Sequence, residues 1–264
     1  MIDLHFHLLA GIDDGPATIA ESLALARCAQ ERGVETIVAT PHVSWRYDND
    51  AATIARLVDQ ANAALAEAGS GVSVVGGAEI AMTRAVDLSA EELAPLTLGA
   101  GPWLLLECPF SASVVGLDTL AFELQEQGHR ILLAHPERCP AFASDPELLE
   151  GLVRAGALTS ITAGSLVGRF GATARRLAHE LLEAELVHNV ASDAHDLERR
   201  PPGTFAELER AGFGALADWL TEAVPAAILS GAESIPRRPR VTIRSARRPP
   251  RRRWSLRGLL RQAS

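Results

Sequence analysis

Along the first two hundred residues, short apolar runs rich in Val, Ile, Leu and Ala alternate with longer stretches whose apolar positions recur at helical spacing. Seven runs predict β-strands, near residues 2–6, 34–39, 72–76, 103–107, 130–134, 158–162 and 187–191. Leu104-Leu105-Leu106, ahead of Glu107, reads as a buried strand. The helical stretches between them have recognisable ends. Thr18-Ile19-Ala20-Glu21 has capping-box spacing, Gly33 suits the position just past a helix, and Asp145-Pro146 reads as an N-cap followed by proline at the first helical position. Strand–helix alternation implies parallel strands joined by helical crossovers. Seven such units predict an α/β fold of the barrel kind, with a doubly wound open sheet as the alternative, because closure is not written in a sequence. Two further helices are expected at 205–211 and 215–229, and there is no internal repeat.

Composition narrows the class. The chain has 264 residues, 47% hydrophobic and 22% charged, enough for one large core and too apolar for disorder. No apolar run approaches the roughly 18 residues of a membrane span. The opening Met1-Ile2-Asp3-Leu4-His5 has neither a basic nor a long apolar region, so no secretory signal is read and a cytoplasmic location is expected. Three cysteines, Cys28, Cys108 and Cys139, lack CxxC spacing and fit a reducing compartment. None is followed six residues later by the Arg that a cysteine-based phosphate cradle needs; Val34, Val114 and Asp145 stand there.

The net charge of −8 is a sum of unlike parts. Every basic residue is Arg; eleven lie between 237 and 264 with no acid, while residues 1–236 set fourteen against 33 acids, a net of −19. An acidic body argues against a nucleic-acid binder. The expected organisation is a catalytic domain at 1–235 and an Arg/Pro-rich disordered tail at 236–264. In that tail Arg253, Arg257 and Arg261 would share one helical face and Leu256, Leu259 and Leu260 another. Peripheral contact with an anionic membrane, docking on an acidic partner and a solvated tail all remain open.

Polar residues follow the apolar runs in a pattern that carries chemistry. The first strand contains His5-Phe6-His7, whose imidazoles lie on one face, and Asp13-Asp14 follow it. Later strands run into His42, Glu79, Glu107, His135-Pro136-Glu137-Arg138 and Ser192-Asp193-Ala194-His195. Any one of these alone is weak. Together they place metal-type side chains after six of seven strands, on the face where α/β barrels build active sites. The candidate ligands are His5, His7, Asp14, His42, Glu79, Glu107, His135, Asp193 and His195. Nine are too many for one ion and suit three divalent ions, with Mn, Fe or Zn matching mixed imidazole and carboxylate donors. Four carboxylates against three such ions leave an electropositive pocket, fit for an anionic substrate. Arg138 and Arg200 are the candidate phosphate clamps. Glu107, ending a buried strand, is the candidate bridging ligand. Asp3 and Asp13 are read as supporting groups, with Asp13 able to exchange roles with Asp14, and Glu137 as structural.

The segments IDLHFH (2–7), GIDDG (11–15), ATPH (39–42), AHPER (134–138), TAGSLVG (162–168) and ASDAH (191–195) resemble the PHP superfamily over about residues 1–203. The resemblance is strongest to its metal-dependent bacterial protein-tyrosine phosphatases of capsule and exopolysaccharide operons. It implies a distorted (β/α)7 barrel and a trinuclear site, usually of manganese, held by the nine residues above. Arg138 and Arg200 would be the phosphate-binding arginines. It also implies hydrolysis of phosphotyrosine on a protein, namely a tyrosine autokinase controlling polysaccharide synthesis. Gly76-Gly77-Ala78 before Glu79 and the Arg-rich tail depart from the family pattern. Three rivals remain at this point: a PHP phosphoesterase acting on histidinol phosphate or a nucleotide, a C–N hydrolase, and a metal-loaded, non-catalytic module that binds a kinase. The C–N hydrolase is disfavoured because many of those enzymes bridge their metals through a lysine, and this chain has none.

Overall fold

The computed structural model describes residues 1–112 and 114–241. Its parallel strands are β1 (Ile2–Phe6), β2 (Thr36–Ala39), β3 (His42–Val43), β4 (Ser73–Gly76), β5 (Glu79–Ala81), β6 (Trp103–Glu107), β7 (Arg130–Ala134), β8 (Leu158–Thr162) and β9 (Asn189–Ala191). They form two sheets, ordered β1-β2-β4 and β3-β5-β6-β7-β8-β9. All seven expected strands are present. β3 and β5 are additions, each starting a few residues after β2 and β4 end. The break after β2 falls at Thr40-Pro41, where proline has no N–H to offer a ladder. The Pro41 carbonyl still accepts from the Glu79 N–H at 3.1 Å, so the chain stays in line across the gap.

The first strand also meets the last. Phe6 and Ala194 form an isolated parallel bridge. The Asp193 N–H donates to the His5 carbonyl (2.9 Å) and the His7 N–H to the Ala194 carbonyl (3.0 Å). Asp3 ties the same join, its carboxylate accepting from the Ser192 N–H at 3.1 Å.

Helices cover the strands on their outer side, and their ends match the sequence. Thr18 accepts from the Glu21 N–H and Asp145 from the Glu147 N–H. Gly33 adopts φ 85° just past the first helix, a conformation that glycine takes without strain. Leu104, Leu105, Leu106, Ile131, Leu132 and Leu133 are fully buried, which explains why these strands read as unbroken apolar runs.

After the helix Phe205–Ala211 and the helical turns ending at Leu229, the chain crosses the N-terminal ends of the strands. Arg130, at the start of β7, lies over the buried Trp103 ring (4.2 Å) and donates to the carbonyls of Ala232 (2.7 Å) and Glu233 (3.0 Å). The Trp219 indole donates to the Pro236 carbonyl at 2.9 Å, and Arg238 to the Leu182 carbonyl at 3.0 Å. Residues 236–241 therefore rest on the body, past the boundary expected at 235/236. The remaining tail, with its expected arginine and leucine faces, lies outside the described residues.

Candidate metal centre

All nine candidate ligands gather where the strands end. β1 supplies His5 at its penultimate position and His7 just beyond it. The loop that follows supplies Asp14; His42 opens β3, Glu79 opens β5, Glu107 closes β6, and His135 and Asp193-Ala194-His195 follow β7 and β9. The donor atoms fall into four overlapping groups, each within 4.8 Å: His7, Asp14, His42 and His195; His5, His7 and Asp193; His5, Glu79 and His135; His42, Glu79 and Glu107.

Glu79 is the hub. Its Oε2 lies 3.0 Å from His42 Nδ1, 3.2 Å from His5 Nε2 and 3.3 Å from His7 Nε2, and its Oε1 lies 2.7 Å from His135 Nε2. Glu107, expected in the central position, stands at the edge, 3.8 Å from His135 Nε2. Strand register explains the difference. Glu79 pairs with Leu105 and Ala81 with Glu107, so Glu79 sits two residues deeper along the strand direction. Only 1% of the Glu79 side chain is exposed, against 16% for Glu107.

Asp193 is the second focus. Its Oδ1 lies 3.4 Å from His5 Nε2 and 3.5 Å from His7 Nε2. Its Oδ2 receives both candidate phosphate clamps, Arg138 at 2.7 Å and Arg200 at 2.5 Å. Burial penalises the Asp193 charge, yet His5, Arg200 and Arg138 outweigh it and hold the carboxyl well below the usual range. Asp14 stands at the outer rim, 3.2 Å from His195 Nε2 and 3.4 Å from His42 Nε2.

The neighbouring Asp13 has a different task. Its Oδ2 accepts from His7 Nδ1 at 2.7 Å and from the His42 N–H at 3.1 Å, and its Oδ1 accepts from the Gly15 N–H at 2.9 Å. This leaves His7 Nε2 turned inward, the arrangement by which carboxylates orient ligating histidines. Gly15 is required for the close approach, since an added Cβ would stand 2.9 Å from the His7 carbonyl oxygen. His195 Nδ1 is similarly occupied by the Asp193 carbonyl at 3.0 Å, freeing Nε2 for the centre.

Two observations show that this donor set suits cations. Glu79 Oε2, Asp193 Oδ1 and His195 Nε2 are buried without hydrogen-bond partners, although nitrogen or oxygen atoms crowd them. Unpaired buried polar atoms are costly, and a shared cation would satisfy all three. Secondly, His135 and Asp193 have φ of 33° and 53°, a left-handed conformation that costs about 1 kcal/mol or more outside glycine and collects at functional sites. Burial, together with the charge of Glu79, pushes the Glu107 carboxyl up to about 7.

Several contributors were not legible in the sequence. Asn49 donates to the carbonyls of His42 (2.8 Å) and Ile12 (3.1 Å), holding two site loops together. Phe170 lies under Arg138 (4.3 Å) and Arg200 (5.9 Å). Tyr47 stacks on His42 and Phe110 on His135, at interplanar angles of 9° and 13°. Only the local rule that such rings flank cations could have pointed to them, and it does not say which loop supplies them. Glu137 holds the Ser165 hydroxyl (2.6 Å) and the Thr162 N–H (3.0 Å), a structural role. The two buried thiols, Cys108 and Cys139, offer no nucleophile. Burial raises both Cys108 and Cys139, and Cys139 donates to the Pro109 carbonyl at 3.3 Å.

The sequence profile of a family described as capsular polysaccharide synthesis, CpsB/CapC, matches residues 1–210. The chain belongs to this family. Among CpsB/CapC relatives, the tyrosine-protein phosphatase YwqE of Bacillus subtilis is 37% identical over 201 residues, covering 76% of this chain and 79% of its own. The tyrosine-protein phosphatase CpsB of Streptococcus pneumoniae is 30% identical over 208 residues, covering 76% and 86%. A crystal structure from work on those two proteins, described there as unique metal-dependent tyrosine phosphatases, superposes with a TM-score of 0.82 at 35% identity, over 90% of this chain and 98% of its own. A β-aspartyl dipeptidase from Fervidobacterium islandicum shares the fold alone, with a TM-score of 0.52 at 14% identity.

Proposed function

We propose that this CpsB/CapC protein is a metal-dependent phosphatase that hydrolyses phosphotyrosine on a protein. The observation that carries the reading is the convergence of nine buried or half-buried donors on a few ångströms, with Glu79 Oε2, Asp193 Oδ1 and His195 Nε2 left unpaired at its heart. His5, His7, Asp14, His42, Glu79, Glu107, His135, Asp193 and His195 would together hold three divalent ions, in overlapping donor groups that share His5, His7, His42 and Glu79. Manganese is the preferred metal, with iron or zinc also matching the donors. When bound, divalent ions of this kind lower the pKa of water toward 7 and neutralise phosphoryl oxygens.

The chain's own groups complete the site. Arg138 and Arg200 hold the remaining phosphoryl oxygens, and Asp193 fixes the angle of both guanidiniums. Arg200 Nε is buried without an acceptor, a donor free for an anion. The phenolate leaving group, with a conjugate-acid pKa of about 10, departs more readily than an alkoxide and depends less on a general acid. We read the strands as a distorted (β/α)7 barrel, supported by the hydrogen bonds that join β1 to the segment after β9. The family context favours a bacterial tyrosine autokinase as the substrate and the cytoplasm as the place of action. No helix among the described residues is long and apolar enough to cross a membrane. The basic charge of the tail makes it available for peripheral contact with an anionic membrane or an acidic partner.

The test is turnover of a phosphotyrosine peptide by the full chain in manganese. Activity should vanish with exhaustive chelation, return with metal and ignore thiol alkylation. Activity that survives chelation overturns the proposal. Histidinol phosphate and nucleotides, offered in parallel, probe the alternative substrates.

A further inference from the structure

We infer that Phe110 is the wall against which the phenyl ring of the substrate packs, and so the residue that separates aryl from alkyl phosphates. The inference rests on the phosphatase reading above and names a specificity determinant of the same site.

Phe110 lies in the loop after β6 and is 55% exposed. What holds it is the site itself: its ring stacks on His135 with centroids 5.5 Å apart, and the Arg138 guanidinium stands 5.0 Å from it. Arg138 is thereby enclosed between Phe110 and Phe170, the latter at 4.3 Å. One stack therefore joins a candidate metal ligand, a phosphate clamp and an exposed aromatic face.

The surrounding space is asymmetric. On the Arg138 side, Phe110, Phe170, Pro140 and Ala143 line a hollow of about 520 Å³. On the Asp14 side, a hollow of about 420 Å³ sets four carboxylates, Asp14, Glu21, Asp196 and Glu198, beside Leu25 and Leu197, and its lining includes no Phe, Tyr or Trp. A phosphomonoester held by Arg138 has its ester substituent at the mouth of these hollows. An aryl ring finds an aromatic side chain to stack on at the Phe110 side, where aromatic pairing adds to simple burial, and four carboxylates on the other. An alkyl ester of small size gains little there, so the same phosphate site would retain aryl phosphates selectively.

The experiment measures calorimetric binding of phenylphosphonate and methylphosphonate to the full, manganese-loaded chain. KM and kcat for a phosphotyrosine peptide are measured beside it. Phe110→Ala should weaken phenylphosphonate and raise the peptide KM by about tenfold, leave methylphosphonate within about twofold, and keep the metal content. Phe110→Tyr should restore the aryl preference. Equal weakening of both phosphonates would mean that Phe110 merely props Arg138 or His135, and overturns the inference, as does no weakening of either. A wild-type chain inert toward the peptide sinks the phosphatase reading instead; the phosphonate pair still reads the aryl wall directly.

Discussion

The two ends of the parallel strands carry opposite solutions to one problem. Both ends present buried polar groups. At the N-terminal ends, Arg130 and Trp219 find backbone carbonyls of the segment that returns across them, at 2.7 to 3.0 Å. At the C-terminal ends, Glu79 Oε2, Asp193 Oδ1 and His195 Nε2 find none, and His135 and Asp193 adopt strained φ values. The first set of contacts closes within the chain and serves stability, although Trp103 Nε1 and Asn189 Oδ1, at the starts of β6 and β9, also lack hydrogen-bond partners. The second set is different in kind, because its unpaired atoms are clustered donors of metal-ligating type that ions and an anion would satisfy. Function sits where such donors converge, not at every unpaired polar group.

Changes at the C-terminal ends should dominate activity. The largest effect is expected from Glu79→Gln, which removes charge from the carboxylate that meets four histidines of the centre. Turnover should fall by more than about a hundredfold, beyond the range for residues that only support ligands, with metal content reduced on elemental analysis. Next comes Arg138→Ala, expected to lower kcat by about a hundredfold while metal content stays near that of the unaltered protein. Loss of metal in that variant would instead make Arg138 a brace for Asp193. Smaller again is Asp13→Asn, where loosened His7 should weaken metal affinity by about tenfold, read by manganese titration of activity.

That contrast between ends was partly visible in the sequence. Seven strands were legible because parallel strands buried on both faces leave unbroken apolar runs, and the polar residues after those runs marked the active end. β3 and β5 were not, because two or three residues after Thr40-Pro41 or Gly77-Ala78 have too little pattern to distinguish them from loop. Their absence from the reading had a consequence at the centre. Without β5 paired to β6, nothing reveals that Glu79 lies two residues deeper than Glu107 or that it meets four histidines. The stacking rings Tyr47, Phe110 and Phe170 come from three separate loops, and their meeting is a property of the fold rather than of any local spacing.

The N-terminal ends should answer to stability rather than turnover. His188, just before β9, accepts from the Thr159 N–H at 3.2 Å, and burial, aided by the charge of Arg238, pushes its pKa down to about 4. An unfolded chain protonates this histidine near pH 6.5, whereas the folded chain resists until about 4. Stability from this group is thus complete above pH 6.5 and is lost as pH falls through that window, by up to about 3 kcal/mol. Urea titrations between pH 7 and 4.5 should show a smaller loss for His188→Gln than for the unaltered protein. An identical loss would place the acid sensitivity elsewhere.

The smallest effect on turnover is expected from removing residues 242–264. The segment leading to them crosses the N-terminal ends, where Arg238 holds the Leu182 carbonyl and lies 3.8 Å from Glu185. Cutting after Val241 retains that docking and leaves the metal centre on the other end of the strands. Phosphotyrosine peptide hydrolysis should stay within about twofold of the full chain, since all nine candidate ligands and both arginine clamps lie in the retained residues. Such a chain loses eight of the eleven tail arginines and keeps Arg237, Arg238 and Arg240. Any salt-sensitive affinity for anionic lipid vesicles should therefore fall sharply while catalysis persists. A chain that loses its small-substrate turnover along with the tail would show that the two ends are coupled.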